Sequence, residues 1–127
     1  MKIRFMSQEN AERLIPHDSM AIISIVGKDS PPRKLKNWKN RLYLYFDDIV
    51  MKMKDRKEFD NNDANKIKEF IKHLPSDVNI IIVHCHQGVS RSAAVAKWLN
   101  EYYKTRDFPL MYMAFNPLVY NVLKRNK

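Results

Sequence analysis

Two runs of consecutive apolar residues dominate the pattern of the chain: Met20 to Val26, reading MAIISIV, and Ile80 to Val83. Runs of this length without alternation predict strands covered on both faces. Leu42 to Phe46, LYLYF, mixes aromatic and aliphatic residues and reads as a further strand, and Ile3 to Met6 suits a short edge strand. Between them the spacing changes to that of helices. Ser7 can cap a short helix running through Leu14 and ended by Pro16. From Asn61 or Asn62, the residues Ala64, Ile67, Phe70, Ile71 and Leu74 recur on one helical face, with Pro75 just beyond the end. From Ser92 onward good helix formers take over, and Val95, Trp98, Leu99 and Tyr102 share a face. Asp107-Phe108-Pro109 and Asn116-Pro117 each place a proline at a first helical turn, so two more helices are expected there, the last being LVYNVLKR.

The alternation of helices with β-branched runs predicts an α/β fold: one three-layer domain over residues 1–127, with a mostly parallel central sheet flanked by helices. Gly27 closes the second strand. The stretch Asp29-Ser30-Pro31-Pro32 then breaks regular structure and leads into the basic loop RKLKNWKN, which Trp38 is expected to pin to the body. No repeat or low-complexity segment interrupts the chain.

With 127 residues, of which 45% are hydrophobic, the chain can bury a real core. No apolar run approaches the ~18 to 20 residues a membrane span needs, and the N-terminal MKIRFMSQEN lacks the apolar centre of a signal peptide. A single cysteine permits no internal disulfide, which suits a reducing compartment, so a cytoplasmic location is expected. The formal charge of +9 favours anionic substrates or polyanions. Its lysines and arginines are scattered, including Lys124 to Lys127, with no recognised nucleic-acid motif. A solvated basic surface that attracts phosphorylated substrates is therefore preferred over RNA binding.

Candidate chemistry concentrates between Asn79 and Tyr103, where a strand pattern passes into a helix pattern through Cys85-His86-Gln87-Gly88-Val89-Ser90-Arg91. A strand ending where a helix begins points free backbone amides into the intervening loop, and an anion sits well there. Five residues between cysteine and arginine let the loop curl until both ends face one centre, its amides forming a nest for a tetrahedral oxyanion. Arg91 offers a planar fork to two phosphate oxygens. The same positive field should lower the Cys85 pKa and leave a thiolate nucleophile. Gly88 relieves a turn too tight for a Cβ.

The stretch His84-Cys85-His86-Gln87-Gly88-Val89-Ser90-Arg91-Ser92 resembles the HC-x-x-G-x-S-R-S signature of the cysteine-dependent tyrosine and dual-specificity phosphatases, closest to the small dual-specificity-like members. The resemblance covers roughly residues 40 to 125, and the first 40 in outline only. It implies a phosphatase-like fold and hydrolysis of phosphomonoesters on protein through a cysteinyl-phosphate, with no metal or other cofactor. It also implies that Ser92 is the hydroxyl beside the sulfur that assists its departure from phosphate. His84 is expected to orient the loop, Ser90 to hold its geometry, and His86 and Gln87 to offer mainly backbone amides. A general acid is needed on the leaving oxygen, and the Asp47-Asp48 pair at the end of the LYLYF strand resembles the family's acid loop. Asp48 is favoured over Asp47, with Asp55 a more distant choice. Asn116 is read first as an N-cap that can also approach the catalytic loop. His17 and His73 have no ligand-spaced partners for a metal. An RNA 5′-phosphatase of the same loop chemistry is the leading enzymatic alternative, and a non-catalytic phospho-residue binding module the alternative from another class.

Overall fold

The computed structural model describes residues 1–31, 35 and 37–125. Its elements follow in the order β1 (Lys2–Ser7), α1 (Gln8–Glu12), β2 (Met20–Val26), β3 (Asn40–Tyr45), α2 (Asn61–Lys72), β4 (Ile80–Cys85), α3 (Arg91–Tyr102) and α4 (Pro117–Arg125). The four strands form one sheet in the order β1-β4-β2-β3, and every pairing is parallel. The two continuous apolar runs are its central strands, because only a strand with neighbours on both edges and helices or loops on both faces needs apolar residues at every position. β1 and β3, at the edges, carry the mixed patterns.

Side chains alternate between two cores. Ile81, Val83 and Cys85 of β4 join Ile23, Ile25 and Leu44 against α2, α3 and α4. Ile82 points the other way, to Met20, Ile22, Ala11 of α1, Leu35 and Trp38. Trp38 is 5% exposed and does pin its loop, which Arg41 Nη1 ties further by donating to the carbonyls of Leu35 and Trp38. The rest of the basic segment, Arg33, Lys34 and Lys36, lies outside the described residues together with Pro32, Asn126 and Lys127.

The Ser7 cap matches the reading of the sequence, whereas the Asp60 cap of α2 was not anticipated. Ser7 Oγ accepts from the Asn10 amide, and α2 opens on a reciprocal pair, Asp60 with the Asp63 amide and Asp63 with the Asp60 amide. α1 ends at Glu12, short of Leu14, because the bonds that follow close i→i+3 turns from Arg13 to Asn10 and from Leu14 to Ala11. α3 is buried over more than the expected face, Ala93, Ala94, Val95, Ala96 and Leu99 all being covered while Tyr102 is exposed. Small residues let α3 lie close between the sheet and α4, and its last turn passes beyond them.

One expected helix is absent. No helix begins at Asp107-Phe108-Pro109; Pro109 opens a single turn, closed by the Tyr112 amide on the Pro109 carbonyl. Only Leu110 to Phe115 separate Pro109 from Asn116, and a residue before proline disfavours the helical conformation, so less than two turns would be available. The aromatic rings dock separately instead: Phe108 and Tyr112 lie 5.6 and 5.2 Å from the ring of Phe5 on β1. None of the described helices is long and apolar enough to cross a membrane.

Candidate active site

The parallel order brings the carboxyl ends of β2, β3 and β4 together, and the loop from Cys85 to Arg91 leaves β4 at that edge. Gly88 adopts φ +73°, a conformation that L side chains rarely hold, and a Cβ there would stand 2.3 Å from the Met6 carbonyl carbon and the Ser7 amide nitrogen. The glycine therefore serves a close approach of the loop to the end of β1. The Gln8 amide donates to the His86 carbonyl at 3.2 Å and fastens the same side of the loop.

Curled in this way, the loop surrounds the sulfur with donors. Cys85 Sγ lies 3.1 Å from Ser92 Oγ and accepts from the Gly88 amide at 3.3 Å. Burial pushes the Cys85 thiol up, but the Ser92 hydroxyl, the Ser92 and Gly88 amides and the charge of Arg91 outweigh it, leaving the pKa below the ordinary thiol value. Arg91 Nη1 donates to the Phe46 carbonyl at 2.8 Å, which ties the guanidinium to the end of β3. Its Nε is buried with no hydrogen-bond partner among the described residues. A buried donor without a partner is costly and rare, so a bound acceptor would be favoured there. Cys85, only 3% exposed, lines a cavity of about 350 Å³ together with Asp48, His86, Gln87, Val89, Ser90 and Arg91.

The two aspartates part company. Asp47, its side chain 14% exposed, accepts from the Lys57 amide at 2.7 Å and the Lys28 amide at 3.3 Å and pairs with Arg56 at 3.5 Å. Burial raises its pKa, but the two amides and the cations Arg56 and Lys28 bring it below the ordinary carboxylate value. Asp47 is thus held ionised as the pin of its loop. Asp48 is exposed at the cavity, where its Oδ1 accepts from Ser90 Oγ and from Asn116 Nδ2, both at 2.8 Å. Asp55 has φ +60° and is exposed in the charged turn, and it does not line the cavity. The lowered Asp47 pKa fixes a sign: its stabilisation is present above the unfolded value of about 3.9 and lost as pH falls through the folded value. Asp47→Asn should cost about 1–3 kcal/mol at pH 7 in urea unfolding, and the gap to wild type should narrow below about pH 4.

Asn116 does more than cap. Its Oδ1 accepts from the Leu118 and Val119 amides at the start of α4, its Nδ2 holds Asp48 and the Ile49 carbonyl, and its amide donates to the Ser90 carbonyl. One buried side chain thereby joins α4, the loop after β3 and the loop from Cys85 to Arg91. His84 takes no place in the cavity: it points to the opposite face of the sheet, with Nε2 2.7 Å from Ser24 Oγ. Ser24 escaped the reading of the sequence, although a lone hydroxyl inside MAIISIV signals a buried partner. Tyr112, whose hydroxyl donates to the Val89 carbonyl at 2.6 Å, had no such signal, because its role depends on a segment folding back from α3. Comparison with family models, with curated proteins and with solved structures finds no match.

Proposed function

We propose that the chain is a small dual-specificity-like member of the cysteine-dependent phosphatases, hydrolysing phosphomonoesters on protein through a cysteinyl-phosphate. The observation that carries the reading is the partnerless, buried Arg91 Nε, on a residue that lines one cavity with the donor-ringed thiol whose pKa its charge lowers. In the first step the Cys85 thiolate attacks phosphorus while the P–O bond to the leaving group breaks. The electron pair goes to the leaving oxygen, which takes a proton from Asp48. Both donors on Asp48 go to Oδ1, so Oδ2 is the oxygen that carries this proton. Arg91 and the loop amides hold the phosphoryl oxygens. In the second step water attacks phosphorus, the S–P bond breaks, Ser92 Oγ–H stabilises the departing thiolate and Asp48 takes the proton of the water.

Release of inorganic phosphate from a phosphotyrosyl peptide tests the reading; binding without release would make the loop a phospho-residue binding module. The assignment of the acid has its own check. Asp48→Asn should slow phenyl phosphate by ~10² to 10⁴ and p-nitrophenyl phosphate far less, since a good leaving group needs no proton. The same discrimination in Asp47→Asn, with none in Asp48→Asn, would move the acid to its neighbour.

A further inference from the structure

Away from the cavity of Cys85, a second buried donor lies without an acceptor. Lys68 Nζ, on α2, is covered and has no hydrogen-bond partner among the described residues. It sits 5.7 Å from the ring centroid of Trp98 on α3, within the range over which an aromatic face attracts a cation. Dehydration without a counter-charge disfavours the charged form and holds the Lys68 pKa below the ordinary lysine value. The four-carbon stem is flexible, so the ammonium can swing from the ring to an incoming acceptor while the backbone stays in place.

Lys68 and Trp98 line one cavity of about 510 Å³, where the C-terminal halves of α2, α3 and α4 meet. A volume of this size suits a small organic ligand. Its walls are apolar: Ile71 and Leu123 belong to the main core, and the rings of Trp98 and Tyr102 lie 5.3 Å apart. Its charges are unequal. Lys68, Lys72 and Lys124 line it with Glu69 and Glu101, and both carboxylates are already engaged. Glu101 accepts from the Tyr120 hydroxyl and pairs with Lys97 at 3.2 Å, while Glu69 lies 3.6 Å from His73 Nδ1. The described lining thus carries one positive charge in excess, and its buried ammonium stands among apolar walls. No residue is shared with the cavity of Cys85, and Trp98 lies about two turns along α3 from Arg91.

We propose that this cavity binds a small apolar carboxylate, its head group pairing with Lys68 Nζ and its body lying against Trp98, Ile71 and Leu123. The site is separate from the phosphatase reading and stands or falls without it. A single excess charge matches a monoanion, and a dianionic phosphate would meet Glu69 and Glu101 at the same cavity. A nucleic acid, with a charge on every nucleotide, would meet them repeatedly. A second copy of a chain with charge +9 would meet its own charge.

The test is calorimetric titration of the full chain at fixed ionic strength with two matched pairs, 2-naphthoate against 2-naphthamide and octanoate against octanamide. At least one acid should bind tenfold or more tightly than its amide, and the pair that shows the preference tells an aromatic body from an alkyl one. Lys68→Met keeps the stem and removes the charge, so the preference should shrink to within twofold; Lys68→Gln repeats the measurement should Lys68→Met not fold. Equal affinities of acid and amide in both pairs overturn the proposal. A preference that survives the loss of Lys68 also overturns it, because the positive surface at large would then be the cause. So does binding to phosphatidylserine vesicles that depends on Lys68 while the acids show no preference, which would make this face a lipid surface.

Discussion

Cys85→Ser should lower turnover of p-nitrophenyl phosphate by on the order of 10⁴-fold or more, to the rate of the buffer, because a covalent route cannot be replaced by the rest of the site. The hydroxyl of serine is a far weaker nucleophile than a thiolate whose pKa four surrounding groups hold down. Binding should persist, since the loop amides and Arg91 do not depend on the sulfur. Tungstate or vanadate is therefore expected to protect the variant against thermal unfolding as it protects the wild type. The thiol itself offers a second readout. Its lowered pKa means that alkylation by iodoacetamide should continue at pH values where free cysteine has become unreactive, and Ser92→Ala should move that limb to higher pH. Turnover by Cys85→Ser at even a tenth of the wild-type rate would remove the cysteinyl-phosphate.

Gly88→Ala is the second large effect, and it acts through the backbone. The new methyl group would stand 2.3 Å from two backbone atoms of Met6 and Ser7, on a strand paired along its whole length with β4, so neither side can yield cheaply. A left-handed conformation adds about 1–2 kcal/mol for a residue with a Cβ, and overpacking against backbone adds about 1–3 kcal/mol more. A loss of about 2–5 kcal/mol in urea unfolding is expected. Relief comes most readily by opening the loop, which carries the Gly88 amide away from Cys85 Sγ, so activity should fall by at least 10²-fold even in the molecules that fold. A variant with wild-type stability and rate would show that the loop does not pack on β1 as described.

The strands and most helices were readable because each depends on a period that tertiary packing has only to confirm. MAIISIV and IIIV must be covered on both sides, and they became the central strands; Ala64, Ile67 and Ile71 must share a covered face, and they do. The segment after α3 misled for a corresponding reason. Proline at a first turn is a local signal, and here the packing of Phe108 (stacked) and Tyr112 (edge-on) against Phe5 outweighs it, a contact between residues about a hundred positions apart.

The candidate site divides along the same line. Local sequence determined the Cys85-to-Arg91 curl and its glycine, because strand, loop and helix are consecutive and their spacing sets what can converge; the serine beside the sulfur was an expectation from the resemblance, and Ser92 Oγ lies 3.1 Å from Cys85 Sγ. The resemblance favoured Asp48, but the physical difference between Asp47 and Asp48 came from tertiary structure: the two are adjacent and chemically identical, and one meets the amides of Lys28 and Lys57 while the other meets Ser90 and Asn116. The partnerless Arg91 Nε and the turning of His84 toward Ser24 were likewise decided by which distant segments the parallel sheet brings together. Hydrogen bonds and exposure are properties of position in space, and a period along the chain carries no record of them across sixty residues.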